Sequence, residues 1–241
     1  MENNVFSKNN NLLKKTMFNM FIKARDLNGK NILSLLEKNS DAKLLDLGCD
    51  DGKWTMQVCD VIGTNKVYAI EIIKKRADLA EKKGIKIKIG NLNSKFPFKS
   101  NTFDVIHANQ VIEHIGNLDS FLDEIYRVLK PNGYVIISTE NASSWHNIFA
   151  SLFGWQIFSL TNLSSKKAGL GNPLAMHRNE IGKISSWTHK TIFSYYGLKE
   201  FFEVHSFKVS NLIGAGYYPL PEKIGQIDGL HAHFITIKAR K

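Results

Sequence analysis

Three short stretches hold residue types that can do chemistry. In "LLDLGCDDGKW", residues 44–54, an apolar run stops at a loop with two glycines and three acids. Where such a run turns from strand into helix, backbone N–H groups are exposed to an anionic or polar ligand group, and Gly48 and Gly52 let the backbone come close. In "VYAIEII" the run ends on Glu71, an acid placed to accept hydrogen bonds from two adjacent ribose hydroxyls. Glycine loop and acid together point to a nucleoside ligand. In "NQVIEHI", Glu113 and His114 follow a further apolar run, and either can hold a proton in transit.

The elements that must position these groups follow an alternating rhythm from Ala42 onward. "AKLLDLG", "KVYAI", "IKIKI", "FDVIHA" and "GYVIIS" are strand candidates separated by amphipathic helices, which implies βαβ units and a parallel sheet. "KLLDL" and "YVIIS" are nearly continuous apolar runs and belong where helices cover both faces, whereas "IKIKI" alternates and belongs nearer an edge. The helix "LDSFLDEIYRVL" places Phe121, Leu122, Ile125, Val128 and Leu129 on one face and stops at "KPNG", where Pro131 and Gly133 are breakers. After Glu140 the rhythm is lost until residue 187. It resumes with the helix "THKTIFSYYGLKEFFEVH" and the strands "FKVSNLI" and "HFITIKA". Ahead of the sheet, residues 1–41 read as one or two flanking helices. The expected organisation is a flank at 1–41 and a domain at 42–241, with 141–187 inserted as a lid or substrate region after strand five.

Length and composition bound this reading. A chain of 241 residues suits one main α/β domain with additions. The excess of 32 Lys+Arg over 22 Asp+Glu gives +10, but the lysines are scattered, as on a solvated basic surface. An acidic substrate, nucleic acid or an anionic membrane surface would also use such charge. The two cysteines, Cys49 and Cys59, suggest neither a disulfide framework nor a zinc site. The N-terminus is too polar for a secretory segment and no apolar run reaches spanning length, so the expected location is cytoplasmic.

In the order and spacing of "LLDLGCDDG", "AIEI", "IGNLNSKFPFKSNTFDVIHANQVIEHI" and "RVLKPNGYVIIST", the chain resembles class I S-adenosylmethionine-dependent methyltransferases, from about Leu44 to Thr139. More narrowly it resembles their small-molecule branch, related to quinone-biosynthesis enzymes. The resemblance implies a Rossmann-like, doubly wound, seven-stranded α/β sheet, mostly parallel with an antiparallel last strand. It implies S-adenosylmethionine as cofactor, S-adenosylhomocysteine as product and a small-molecule acceptor, lipid-, isoprenoid- or glycan-linked. Asp46 and the loop of Gly48, Cys49, Asp50 and Gly52 would meet the methionine end. Glu71 would hold the ribose, Ile72 would pack on the adenine, and Asn91 and Leu92 would lie at its edge. Asn109 and Gln110 would line the methyl-donor channel.

Two positions depart from the family pattern. Asp50 stands where a second loop glycine is usual; Asp50 or Asp51 is expected to cap the following helix. Asn91 replaces an aspartate, and its amide oxygen can still accept a hydrogen bond. Glu113 and His114 resemble a pair that holds a divalent metal in some quinone-pathway relatives, but the preceding acid is Gln110 here, so no metal is expected and His114 is read as base or positioning group. His146 could complete a weaker metal site. In the insertion, Trp145, Phe149, Phe153, Trp155 and Phe158 form an apolar stripe, read first as core packing. An apolar substrate pocket or a membrane-surface helix is the alternative. Trp145, His146 and His189 are candidate acceptor contacts, with His177, Arg178 and His189 able to meet a phosphate or carboxylate.

Rival functions are separable. "GCDDGKW" lacks the glycines of a dinucleotide fingerprint. An RNA methyltransferase would use the basic charge, but "ANQVIEH" is not the amino-methylating motif and no arginine-rich arm is present, so nucleic acid is disfavoured. A non-catalytic cofactor-binding protein stays open through Asp50. Peripheral membrane contact also stays open, and oligomeric state is not fixed by the sequence.

Overall fold

In the computed structural model, which describes residues 3–178 and 187–241 with side chains from residue 15 onward, the apolar runs become a seven-stranded sheet. The elements in chain order are α1 (Asn3–Ser34), β1 (Lys43–Leu47), α2 (Lys53–Ile62), β2 (Lys66–Glu71), α3 (Lys74–Glu81), β3 (Lys86–Ile89), β4 (Phe103–Asn109), α4 (Leu118–Val128), β5 (Leu129–Glu140), α5 (Trp145–Leu152), α6 (Tyr195–Val204), β6 (Lys208–Ala215), α7 (Ile224–Ile227) and β7 (Phe234–Arg240). The strand order is β3-β2-β1-β4-β5-β7-β6. β1 pairs in parallel with β2 on one side and β4 on the other, and antiparallel pairing is confined to the last strands.

Burial follows the composition of each run. Leu44, Leu45 and Leu47 of β1 and Val135, Ile136 and Ile137 of β5 have no exposed surface. Each such aliphatic side chain contributes roughly 1.5–3 kcal/mol by leaving water. The alternating run "KIKI" is the outermost strand, β3, and its two lysines blunt that edge. Helix α4 buries Phe121, Leu122, Ile125 and Val128, and the Asn117 side chain caps it by accepting from the Ser120 amide. Leu129 is buried as well, but as the first residue of β5; Leu129 to Gly133 lie in that strand, and the helix has ended before the breakers. Likewise the helix expected from residue 188 begins at Tyr195.

The chain divides into two compact units. One consists of Lys30–Thr139, Tyr196–Leu212 and Thr236–Lys241, and carries most of the sheet; the other consists of Met1–Gly29, Glu140–Tyr195 and Ile213–Ile235. In the second unit, Ala24, Ala215 and Phe234 form a small core against which Phe21 and Leu27 pack. Gly216 allows close approach there, because a Cβ on it would collide with that of Ala24. Two buried amides tie its segments together. Asn141 Nδ2 donates to the carbonyls of Leu230 and Ala232, and Asn147 Nδ2 donates to the Asn141 carbonyl and Ser159 Oγ. Residues 179–186, which fall in the expected insertion, lie outside the described residues. Among the described residues no helix is long and apolar enough to cross a membrane.

Candidate functional site

At the carboxyl end of β1 the chain turns through Gly48 (φ 74°), Asp50 (φ 49°) and Gly52 (φ 78°). A Cβ on Gly48 would stand 2.8 Å from Val111 Cγ2, and one on Gly52 would stand 2.7 Å from Ile85 Cδ1, so both glycines are required by space as well as by backbone conformation. Asp50 takes the left-handed conformation that a glycine would, which aspartate tolerates better than most residues. Its side chain is mainly exposed and pairs with Arg76 Nε at 3.1 Å. Capping falls to Asp51, whose Oδ1 accepts from the Lys53 amide at 2.9 Å; Asp50 has no part in it.

Glu71 is 6% exposed and joins this loop to the end of β2. Its Oε2 accepts from the Asp50 amide at 3.0 Å and its Oε1 from the Ile73 amide at 2.8 Å. A carboxylate has about four acceptor positions, so two bonds leave capacity for others. Beside it, Ile72 exposes half of its surface, which is unusual for a large aliphatic next to a buried strand end. Cys49 is buried, and burial pushes its thiol far up from the usual range. Asn91, just beyond β3, accepts at Oδ1 from the amide and side chain of Asn93, and Asn93 Oδ1 in turn accepts from the amides of Gly116 and Asn117. The Asn91 side chain is thus a turn-former, and Leu92 follows it half-buried.

Asp46 faces inward. It is 2% exposed, accepts from Thr55 Oγ1, and lies 2.7 Å from His107 Nδ1. Trp54 Nε1 donates to His107 Nε2 at 3.2 Å, and because an indole only donates, Nε2 is the unprotonated nitrogen and Nδ1 carries the hydrogen toward Asp46. His107 was not among the residues singled out in the sequence. Its signal was one polar residue at matching places in two apolar runs, "LLDLG" and "FDVIHA", which the sheet pairs directly.

At the end of β4, Asn109 Oδ1 and, one residue on, Gln110 Nε2 are buried with no hydrogen-bond partner among the described residues. A buried polar atom left unpaired costs on the order of 1–3 kcal/mol, so an orphaned acceptor and an orphaned donor on adjacent residues stand out at this strand end. Gln110 has φ 56°, and its amide donates to the Ser138 carbonyl at 2.8 Å. Glu113 is 1% exposed and accepts at Oε2 from Thr139 Oγ1 at 3.0 Å; His114, half-buried, ends the same short turn.

The second unit encloses a cavity of about 1190 Å³. Trp145, His146 and His189 line it, as do Tyr217, Tyr218 and His233, which the sequence did not reveal because they arrive from a distant segment. His146 stacks on His233 at 4.5 Å between ring centroids, with Tyr218 5.0 Å from the first ring and 5.1 Å from the second. Desolvation pushes His146 down to about 3 and His233 well below its usual value. Both His233 ring nitrogens are buried without a partner. Trp145 Nε1 donates to Tyr217 Oη at 2.7 Å, and Tyr217 donates to Asp228 Oδ2, which raises the Tyr217 pKa. The insertion's aromatic stripe is not core, since Trp145, Phe149 and Phe153 are 42%, 45% and 59% exposed and α5 stops at Leu152. His189 Nδ1 lies against the Ser159 carbonyl. His177 also lines the cavity; Arg178 does not, and its Nη1 donates to the Asn172 carbonyl at 2.7 Å.

Comparison with known proteins agrees with the fold. The chain is 31% identical over 125 residues to the mitochondrial ubiquinone biosynthesis O-methyltransferase of Rattus norvegicus, covering 49% of this chain and 36% of that protein. It is 28% identical over 193 residues to the ubiquinone biosynthesis O-methyltransferase of Rickettsia prowazekii (strain Madrid E), covering 76% of this chain and 72% of that protein. The chain spans about a third of the length of the first curated relatives it matches. Among solved structures, the S-adenosylmethionine dependent methyltransferase from Mesorhizobium loti shares the fold with a TM-score of 0.59 at 14% identity, over 88% of this chain and 96% of that one. Residues 20–203 match the family described as a methyltransferase domain, a span that takes in the glycine loop, Glu71 and the turn after β4, and the chain belongs to that family.

Proposed function

We propose that this protein transfers a methyl group from S-adenosylmethionine to a small apolar acceptor of quinone type. The observation that carries the reading is the Glu71 carboxylate, which fastens the Gly48–Gly52 loop to the end of β2 while Ile72 stands exposed beside it. Bound there, the cofactor supplies an activated methyl on a sulfonium. The Gly48–Gly52 loop, with Asp46 behind it, receives its methionine end at the Cys49 amide, because the Gly48 and Gly52 amides already donate to the Ile70 and Cys49 carbonyls; Glu71 takes the ribose hydroxyls and Ile72 covers the base. Asn91 and Leu92 border the base, with the Asn91 side chain acting by shaping the turn. Asn109 Oδ1 and Gln110 Nε2 gain the partners they lack. At Asp50, the departure that favoured a non-catalytic binder, the backbone is left-handed as a glycine's would be and the side chain is held at the surface by Arg76.

The acceptor is assigned to the aromatic cavity, with Trp145, His146 and His189 on its wall and residues 141–187 serving as the substrate region. Relatives named for ubiquinone biosynthesis support a hydroxylated ring with an apolar tail. His114 is the proton acceptor or positioning group, and Glu113, held by Thr139, supports it. A reducing, cytoplasmic setting suits the unpaired thiols Cys49 and Cys59. The test is mass-spectrometric detection of S-adenosylhomocysteine when the protein is given S-adenosylmethionine and an alkylated catechol. Stoichiometric methylated catechol supports the reading; cofactor binding with no turnover on any hydroxylated ring contradicts it.

A further inference from the structure

The cavity wall has a charge character opposite to that of the chain. The protein carries +10, yet among the described residues no Lys or Arg lines the cavity. Among the described residues the one carboxylate on the wall is Glu140, half-buried at the end of β5, with no side-chain hydrogen bond or ion pair to any of them. It acts on its neighbours: after burial itself, the Glu140 charge is what raises the Tyr218 phenol. The stacked pair of histidines on the wall supplies no positive charge, because desolvation keeps His146 and His233 neutral at physiological pH.

An anionic acceptor would meet the Glu140 carboxylate in a cavity where no Lys or Arg among the described residues balances it. A cationic acceptor would have to approach through the field of a strongly basic protein. An uncharged molecule with a hydroxyl faces neither obstacle. Its O–H donates to Glu140 in a charge-assisted bond, while the aromatic side chains take its apolar body.

We propose that Glu140 determines acceptor specificity by accepting a hydrogen bond from the hydroxyl of an otherwise apolar, uncharged molecule, so that the cavity admits phenols and rejects phosphates and carboxylates. This rests on the methyltransferase reading and narrows its acceptor class. It also replaces the sequence-based expectation that His177, Arg178 and His189 meet an acceptor's anion.

The experiment is quenching of tryptophan fluorescence, since Trp145 and Trp187 line the cavity, by 4-octylphenol, 4-octylanisole, 4-octylbenzoate and 4-octylbenzylamine. Wild-type protein should bind the phenol about tenfold more tightly than the benzoate. Glu140→Gln should narrow that gap to below about threefold and leave the anisole unchanged, while Glu140→Asp keeps the ranking. The proposal is overturned if benzoate binds as well as phenol, if the amine outranks the phenol, if Glu140→Gln leaves the ranking intact, or if no probe binds protein that circular dichroism shows to be folded. Calorimetry with S-adenosylmethionine on the same preparation separates the two readings. Heat with a failed ranking removes only the role of Glu140; a correct ranking without heat removes the methyltransferase reading.

Discussion

His107 Nδ1 lies 2.7 Å from Asp46 Oδ1 across the paired strands β4 and β1, in a place where both side chains are almost wholly buried. The Trp54 indole fixes the ring's tautomer from the other side. Asp46 therefore sits immediately before the glycine loop as an anchored carboxylate. Replacing the histidine with an apolar side chain would leave a buried charge short of a partner. His107→Leu is expected to cost about 3 kcal/mol in urea unfolding. A loss below about 0.5 kcal/mol would show that Asp46 does not depend on it.

The loop's backbone separates glycines that are needed from one that is dispensable. Gly48→Ala should lower stability by at least about 1 kcal/mol and weaken cofactor binding, since its Cβ would run into Val111 at a positive φ. Asp50→Gly should leave the unfolding midpoint within a few degrees. There the backbone already suits glycine, and the lost pair with Arg76 is an exposed one. Thermal unfolding of both variants, followed by circular dichroism, checks the contrast.

Acidification should weaken the unit that holds the cavity. The folded-state pKa values of His146 and His233 are depressed, that of His146 to about 3, so in the window below the unfolded value near 6.5 the unfolded chain binds protons that the folded one does not. Stability is therefore full above about pH 6.5 and falls as pH drops through that window. Urea midpoints measured from pH 7.5 to 5 should decline, and more shallowly in His233→Phe. Equal slopes would mean that His233 is not buried neutral.

Asn109 exchanges stability for binding. Because its Oδ1 is buried without a partner, Asn109→Leu should raise stability by about 1 kcal/mol while lowering affinity for S-adenosylmethionine about tenfold. Calorimetric unfolding and cofactor titration together test this, and a variant that both binds and unfolds like wild type would remove the residue from the site.

What the sequence made legible follows from how local each signal was. The continuous run at Leu44–Leu47, the alternating edge strand at Lys86–Ile89 and the apolar face of α4 are patterns within a few residues, and the sheet places them as their periods require. Glu71 was readable because a fixed βαβ unit separates it from the glycine loop. The cavity was readable only in part, since the sequence pointed to Trp145, His146, His177 and His189 but not to Tyr217, Tyr218 and His233. His146 and His233 meet through contacts across many residues, and no period in the chain encodes a stacked pair. The aromatic stripe misled for a related reason: helical spacing shows which side chains share a face, and says nothing of whether that face is covered.

The central claim is that one nucleoside sulfonium bridges the glycine loop and Glu71. Isothermal titration calorimetry with S-adenosylhomocysteine measures it without needing an acceptor. Binding near one equivalent is expected, with affinity reduced about tenfold or more in Glu71→Ala, whose loss frees the Asp50 and Ile73 amides as well as the ribose contact. Folded wild-type protein giving no heat, or a Glu71→Ala variant binding as tightly as wild type, would contradict it.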